Sequence, residues 1–172
     1  MIQIDEVHAK LLHGLTLAQK PKRILELGYG IGHATDAIYS ALEFNQQPYT
    51  YTLVDNWSDY SDPAQVTEKY NNKINVVTSN ERDFVFSCQT QFDLIMSDAD
   101  HHSTDQWFEY VYDTLLADDG ILCYHDVMLT SMFPNLYRIY EQCQALNLRY
   151  KVFDKDSLPN EMCFRGFLVI FK

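Results

Sequence analysis

Residues 24–35 read Ile-Leu-Glu-Leu-Gly-Tyr-Gly-Ile-Gly-His-Ala-Thr, and no other stretch restricts the possible folds so narrowly. Residues 22–27 carry three branched aliphatics, Ile24, Leu25 and Leu27, as a strand buried on both faces requires. The run stops at Gly28, Gly30 and Gly32, beyond which residues 35–42 suit a helix. A strand, a glycine turn and a helix in that order place unpaired backbone N–H groups at a helix N-terminus. Glycine has no Cβ, so an anion or a ribose with its attached groups approaches closely there. The stretch therefore predicts a nucleotide-type cofactor without saying which.

Composition removes several alternatives. A chain of 172 residues fits one domain, spanning 1–172, with residues 1–20 as an N-terminal helix packed on the core. The fractions, 47% hydrophobic and 22% charged, fit an ordinary soluble protein, and no apolar run approaches the roughly 20 residues that cross a bilayer. Residues 1–12 include Asp5, Glu6 and His8 where a signal peptide needs a basic and then an apolar run, so a cytoplasmic protein without a membrane partner is expected. The formal charge of −11, with no cluster of Lys and Arg, weighs against a nucleic-acid partner. Cys88, Cys123, Cys143 and Cys163 form no Cys-x-x-Cys pair and read as buried free thiols.

Along the chain, two periodicities alternate. Ile4, Val7, Leu11 and Leu15 recur at helical spacing, so the N-terminal segment is expected to lie over the glycine turn or a sheet edge until Pro21 ends it. Residues 49–54 form a second β-rich run closing on Asp55 and Asn56. Asp62, Pro63 and Gln65 mark a helix start, with Asp62 as N-cap and Gln65 closing a capping box. Residues 74–78 predict a third strand, with Asn80 as the cap of the next helix. Residues 92–97 are a fourth strand running into Asp98-Ala99-Asp100-His101-His102. Ser103 and Gln106 then suggest a capping box opening a helix that carries Trp107, Val111 and Leu115 on one face. Asp119-Gly120 turns the chain into a fifth strand, 121–124, ending at His125-Asp126, and residues 132–146 predict a long helix. Residues 150–153 and 163–171, separated by a polar loop with Pro159, pair as an antiparallel hairpin at one edge.

Five strand–helix repeats followed by two strands give an α/β, Rossmann-like doubly wound fold. The expected sheet is mostly parallel and seven-stranded, with an antiparallel C-terminal strand and helices on both faces. Ligands of such sheets sit outside the carboxyl ends of the strands. Glu26 to Gly32, Asp55, Ser79-Asn80, Asp98 to His102 and His125-Asp126 stand at those ends and line one cleft.

With Glu26 two residues before Gly28, glycines at 28, 30 and 32, an acid at Asp55 and an acid ending strand four, the chain resembles the class I S-adenosylmethionine (SAM)-dependent methyltransferases. The resemblance extends over nearly the whole chain, including the terminal strand pair. It implies SAM as cofactor. Gly28, Gly30 and Gly32 would seat its aminoacyl part, Glu26 would stand near its ammonium, Asp55 with Asn56 would hold the ribose, and Asn80 would contact adenine. Asn80 also reads as a plain helix cap, and Asp55 as a turn acid.

Residues 92–101 are similar to the Asp-Ala-Asp segment of the metal-dependent catechol, caffeoyl-CoA, sugar and macrolide O-methyltransferases. That likeness implies O-methylation of a small hydroxylated molecule, with Asp98, His125 and Asp126 holding a divalent cation such as Mg or Mn and His101 acting with Asp98 in catalysis as the base. His125 departs from the Asp-Asn pair of that group, and imidazole suits Mn, Fe, Co or Zn better than Mg, so the site either takes a different metal or holds none. Read from the residues alone, His125-Asp126 is equally a hydrogen-bonded pair closing strand five, and Asp100 a helix cap.

Residues 56–60 and the loop carrying Val127, Met128, Leu129, Met132 and Phe133 offer an acceptor pocket, although Trp57 and Tyr60 also suit packing over adenine or the sheet edge. Two other readings stay open. One is a non-catalytic module that keeps the cofactor fold for assembly. The other is a nicotinamide-dependent reductase, against which stands the lack of a Tyr-x-x-x-Lys couple at Tyr110, Tyr112, Tyr137 or Tyr140. The apolar N-terminal helix and the aromatic last strand offer surfaces for a homo-oligomer.

Overall fold

The structure is a computed structural model that describes residues 4, 6–58, 61–154 and 165–172. Asp5, Tyr60, Pro159 and Cys163, named above, lie outside the described residues. The strands are β1 (Arg23–Leu27), β2 (Thr50–Asp55), β3 (Asn75–Thr78), β4 (Phe92–Ser97), β5 (Leu116–His125), β6 (Arg149–Phe153) and β7 (Phe167–Phe171). They form one sheet in the order β3-β2-β1-β4-β5-β7-β6. Only β7 runs against its neighbours, pairing antiparallel with both β5 and β6. The expected terminal pair is there, with β6 rather than β7 at the edge.

The sheet needs a cover on each face because its central strands are apolar on both. One layer is α1 (Glu6–Gln19), α2 (His33–Asn45) and α3 (Pro63–Lys69), whose Leu12, Ile38, Leu42 and Val66 pack with Ile24, Leu53 and Met96. The other is α4 (Glu81–Ser87), α5 (Phe108–Tyr110) and α6 (Pro134–Ala145), whose Val85, Phe108, Leu136 and Ile139 meet Leu25, Ile95 and Leu122. The N-terminal helix lies along α2, joined by Asn45 Nδ2 donating to the Thr16 carbonyl and by the His13 ring on the Ala37 carbonyl. Its His8 ring is sandwiched between His125 and Phe167 at the end of β5 and the start of β7.

Three local expectations need correction. The segment after β4 is a 3₁₀ turn (Thr104–Gln106), the short α5 and a π turn (Val111–Leu115), where one regular helix was expected. Its start is set by Asp100, whose Oδ1 accepts from the His102 and Ser103 N–H groups, and the Ser103 hydroxyl donates to Asp100 instead of capping. Strand β5 begins at Leu116, and Asp119-Gly120 lies inside it, where its pairing with β4 shifts register. Asn80 heads α4 through its carbonyl, which accepts from Phe84 N–H, while its side chain makes no capping bond. Asp62 caps α3 as expected, accepting from Ala64 N–H at 2.9 Å. Cys88, Cys123 and Cys143 are free thiols, the latter two buried. Among the described residues no helix is long and apolar enough to cross a membrane.

Candidate active site

The carboxyl ends of β1, β2, β3 and β4 open onto one cleft of about 700 Å³, whose lining includes Gly28, Gly30, Asp55, Asn56, Asn80, Asp98, His101, His102 and Phe133. His125 and Asp126, expected in that lining, are fully buried behind it. Backbone geometry builds one end of it. Gly28 N–H donates to the Val54 carbonyl and Asp98 N–H to the Leu27 carbonyl, tying the turn to the strands on either side. Gly28 has φ +92°, and a Cβ there would lie 2.6 Å from the Asp98 carbonyl oxygen and 2.8 Å from Ala99 Cα. Only glycine suits both the angle and the approach. A Cβ on Gly30 would meet nothing within 4 Å, so this glycine faces open cleft. Gly32 is the residue before α2 and packs against the Tyr29 ring outside the cleft lining.

Asp55 braces this end. Its Oδ2 accepts from Tyr29 N–H and its Oδ1 from Trp57 N–H, both at 2.7 Å, so the carboxylate stands at the cleft wall in one orientation. Asn56 Oδ1 accepts from Ser58 N–H and its hydroxyl, shaping the loop beyond β2. Trp57 packs on Tyr29, with ring centroids 5.6 Å apart.

Two buried glutamates lie near the strand ends. Glu26 is fully buried behind the turn, outside the cleft lining, with Thr35 and Tyr51 donating their hydroxyls to its carboxyl group. Burial pushes its pKa up to about 8 against the pull of those hydroxyls. The ammonium of a cofactor in the cleft is thus not what this side chain faces. Glu81, at the start of α4, does line the cleft, and four groups donate to it. Ser97 Oγ and Trp107 Nε1 meet Oε1, and Asp100 N–H and Thr104 Oγ1 meet Oε2. Burial raises the Glu81 pKa as well. This one carboxyl group fixes the loop that carries Asp98 and His101.

The other end of the cleft is built from charged side chains. Asp98, His101 and Asp126 bring one ligand-type atom each within 4.8 Å of one another. His101 Nε2 lies 3.3 Å from Asp98 Oδ1 and 3.2 Å from Asp126 Oδ2, and its Nδ1 faces the Ala99 carbonyl at 2.9 Å. Both ring nitrogens face acceptors, so the ring is held as an imidazolium. Burial works against that charge, but the hydrogen bonds of Asp126 and Asp98 outweigh it and push the pKa up to about 10. Asp98 is also buried, and the charges of His125 and His101 hold it well below the usual carboxylate range. Asp126 has φ +64° and no exposed surface. Its carboxylate is gripped by Arg165, with Nε on Oδ1 at 2.6 Å and Nη2 on Oδ2 at 2.7 Å.

The structure therefore gathers Gly28, Gly30, Asp55, Asn56, Asn80, Asp98 and His101 at one cleft and leaves Glu26 and Gly32 behind it. His125, expected beside Asp98 as a ligand, is fully buried against His8 with its Nδ1 3.7 Å from Asp98 Oδ1, and His101 takes its place in the cluster. Phe133 is the aromatic of the expected acceptor loop that reaches the cleft, packing on His101 at 4.5 Å between centroids. Glu81 and Arg165 did not emerge from the sequence. Glu81 reads there as an ordinary acid in the first turn of a helix, and Arg165 as an isolated cation before a glycine, with no local pattern to single it out.

No curated protein sequence matches the chain. In overall structure it is similar to an O-methyltransferase from Bacillus cereus in complex with SAH (S-adenosylhomocysteine), at TM-score 0.81 and 18% identity over 99% of this chain and 83% of that one. It is also similar to TomG, an O-methyltransferase from Streptomyces achromogenes involved in tomaymycin synthesis, in complex with SAM. There the TM-score is 0.78 and the identity 15%, over 98% and 81% of the two chains. SAH-bound PaMTH1, a methyltransferase from Podospora anserina, gives 0.76 and 17%, over 99% and 80%. These likenesses show the shared fold. The profile of the methyltransferase domain family matches residues 25–127, from β1 past the end of β5, and the chain belongs to that family.

Proposed function

We propose that this methyltransferase carries a methyl group from SAM to an oxygen of a small hydroxylated acceptor within the cleft. One observation carries the reading. The cleft is continuous from the open glycine turn and Asp55 to Asp98, His101 and Phe133, so a cofactor seated at the first end directs its far part toward the second. Asp55 and the turn suit a ribose and an aminoacyl group, while Asn80 stands where the cleft runs toward α4, the place for adenine. The structural relatives with SAM or SAH in their complexes share this arrangement of strands, which supports the choice of cofactor.

The chemistry asks mainly for alignment, because the sulfonium already activates the methyl group. The acceptor oxygen forms the new C–O bond as the C–S bond breaks, leaving SAH and one proton. His101 meets this step as a cation, both of its ring nitrogens being engaged by Asp98, Asp126 and the Ala99 carbonyl. The acceptor hydroxyl gives its proton to water in the cleft, and His101, held between Asp98 and Asp126, favours the resulting oxyanion by its charge before that oxygen attacks the methyl carbon. This reading replaces the base expected of His101, since a base needs a free lone pair at neutral pH.

Calorimetric titration with SAM, SAH and NADH tests the cofactor, and methyl transfer to a panel of phenols and alcohols tests the acceptor. The expected outcome is binding of SAM and SAH, with a His101→Gln variant about 10- to 100-fold slower and the shape of its pH–rate profile near neutrality unchanged. Binding of the nicotinamide alone would end the methyl-transfer reading. Loss of a limb between pH 6 and 7 in the variant would restore His101 as base.

A further inference from the structure

We infer that Arg165 is the fixed cation of the acceptor end, and that with it in place this cleft takes no divalent metal ion. The inference rests on the methyl-transfer reading only for which end of the cleft is concerned. Asp98, His101 and Asp126 are the group able to hold an ion among the described residues, and Asp126 is its central carboxylate.

A carboxylate offers about four lone-pair directions, two on each oxygen. In Asp126 each oxygen has a cation or a ring nitrogen against it, with the hydrogen bonds falling on Oδ2. Oδ1 faces Arg165 Nε at 2.6 Å and His125 Nδ1 at 3.2 Å, and Oδ2 faces Arg165 Nη2 at 2.7 Å and His101 Nε2 at 3.2 Å. Without Asp126, a hard cation would have Asp98 and an imidazole already turned as donor toward both carboxylates, which is too poor a set for Mg²⁺ or Mn²⁺.

The guanidinium is not an incidental visitor. Its side chain is 11% exposed, its planar fork matches the carboxylate in bidentate fashion, and the Met128 N–H donates to the Arg165 carbonyl at 2.9 Å, fixing the backbone behind it. Arg165, His101 and His125 thus crowd the two carboxylates, Asp126 and Asp98, from the sides on which an ion would have to approach. Arg165 is a positioning residue: it holds Asp126, which in turn holds His101 toward the acceptor.

The test titrates Mn²⁺ alone into the protein, read by electron paramagnetic resonance and by thermal unfolding, beside a titration with SAH. Wild type is expected to show no site for Mn²⁺ below millimolar concentration and no shift of Tm. Arg165→Met removes the fork at similar length and is expected to gain Mn²⁺ affinity by at least about tenfold, with Arg165→Gln as the second variant should Met not fold. A tight, stoichiometric Mn²⁺ site in wild type overturns the inference, as does a folded Arg165 variant that still binds no Mn²⁺. If neither variant folds, the wild-type titration decides by the same criterion. Failure of SAH to bind would remove the methyl-transfer reading and leave the metal result standing.

Discussion

The two ends of the cleft are made in different ways. At the cofactor end the shape comes from the backbone: Gly28 closes against the Asp98 carbonyl, Gly30 leaves space, and Asp55 pins Tyr29 and Trp57 through their N–H groups. At the acceptor end it comes from side chains that meet across the fold: Asp98 just past β4, His101 from the loop beyond it, Asp126 just past β5 and Arg165 from the approach to β7. The first end is fixed by backbone geometry, most tightly at Gly28. The second is a balance of charges in which the identity of one member depends on the others.

The sharpest way to break this contrast is Gly28→Ala. The added methyl would lie 2.6 Å from the Asp98 carbonyl, a backbone atom that cannot swing aside, at a φ of +92° that alanine rarely adopts. Strain of about 4 kcal/mol or more is expected, from the left-handed angle and from overpacking together, with loss of SAH binding. Denaturant unfolding and calorimetry check both. A variant that folds with near-wild-type stability and binds SAH would show the turn to be pliable and the contrast mistaken.

The same contrast explains what the sequence made legible. The mostly parallel sheet with its antiparallel terminal strand and the helices on both faces follow from hydrophobic period and glycine spacing, which act over a few residues, and Gly28, Asp55 and Asn56 line the cleft at the strand ends. Asp98 and His101 were also legible, being one loop. Glu26 was misplaced because its position at the end of β1 is the same whether the side chain points into the cleft or behind it, and only the Thr35 and Tyr51 hydroxyls decide. Arg165 was invisible because the contact that gives it meaning lies 39 positions away in sequence, at Asp126. The irregular helix after β4 was missed because Trp107 and Thr104 turn toward Glu81, a tertiary demand that overrides the local helical period.

Glu81 is the next test, on the side of the contrast that depends on side chains. With Glu81→Ala, the Asp100 N–H, Trp107 Nε1 and the Ser97 hydroxyl together lose their acceptor, while the Thr104 hydroxyl keeps the Asp100 carbonyl. A loss of about 3 kcal/mol is expected from stranding buried donors, with methyl transfer falling more steeply than SAH affinity because the loop bearing His101 loosens first. A matched fall in SAH affinity and transfer would mean that the two ends are not separate devices but one.

The smallest effect on cofactor affinity, and the one that sharpens the contrast most finely, concerns Glu26. Folding raises its pKa from an ordinary 4.5 to about 8, so across that window the folded chain holds a proton that the unfolded chain has released. Its contribution to stability is therefore complete below pH 4.5 and is lost as pH rises toward 8. Gln copies the neutral carboxyl group in shape and carries no charge to desolvate. Glu26→Gln is expected to match wild type near pH 5 and exceed it by about 4 kcal/mol at pH 8.5, giving a flatter stability profile. Parallel profiles would show that the carboxyl group is not held neutral behind the turn. The cofactor supplies the second half of the comparison. A carboxylate paired with the SAM ammonium would lose about tenfold in affinity on becoming Gln, whereas a group placed behind the turn changes it by less than about threefold. Only the latter result keeps the cofactor end a device of backbone and Asp55, with Glu26 serving the strand and helix that carry it.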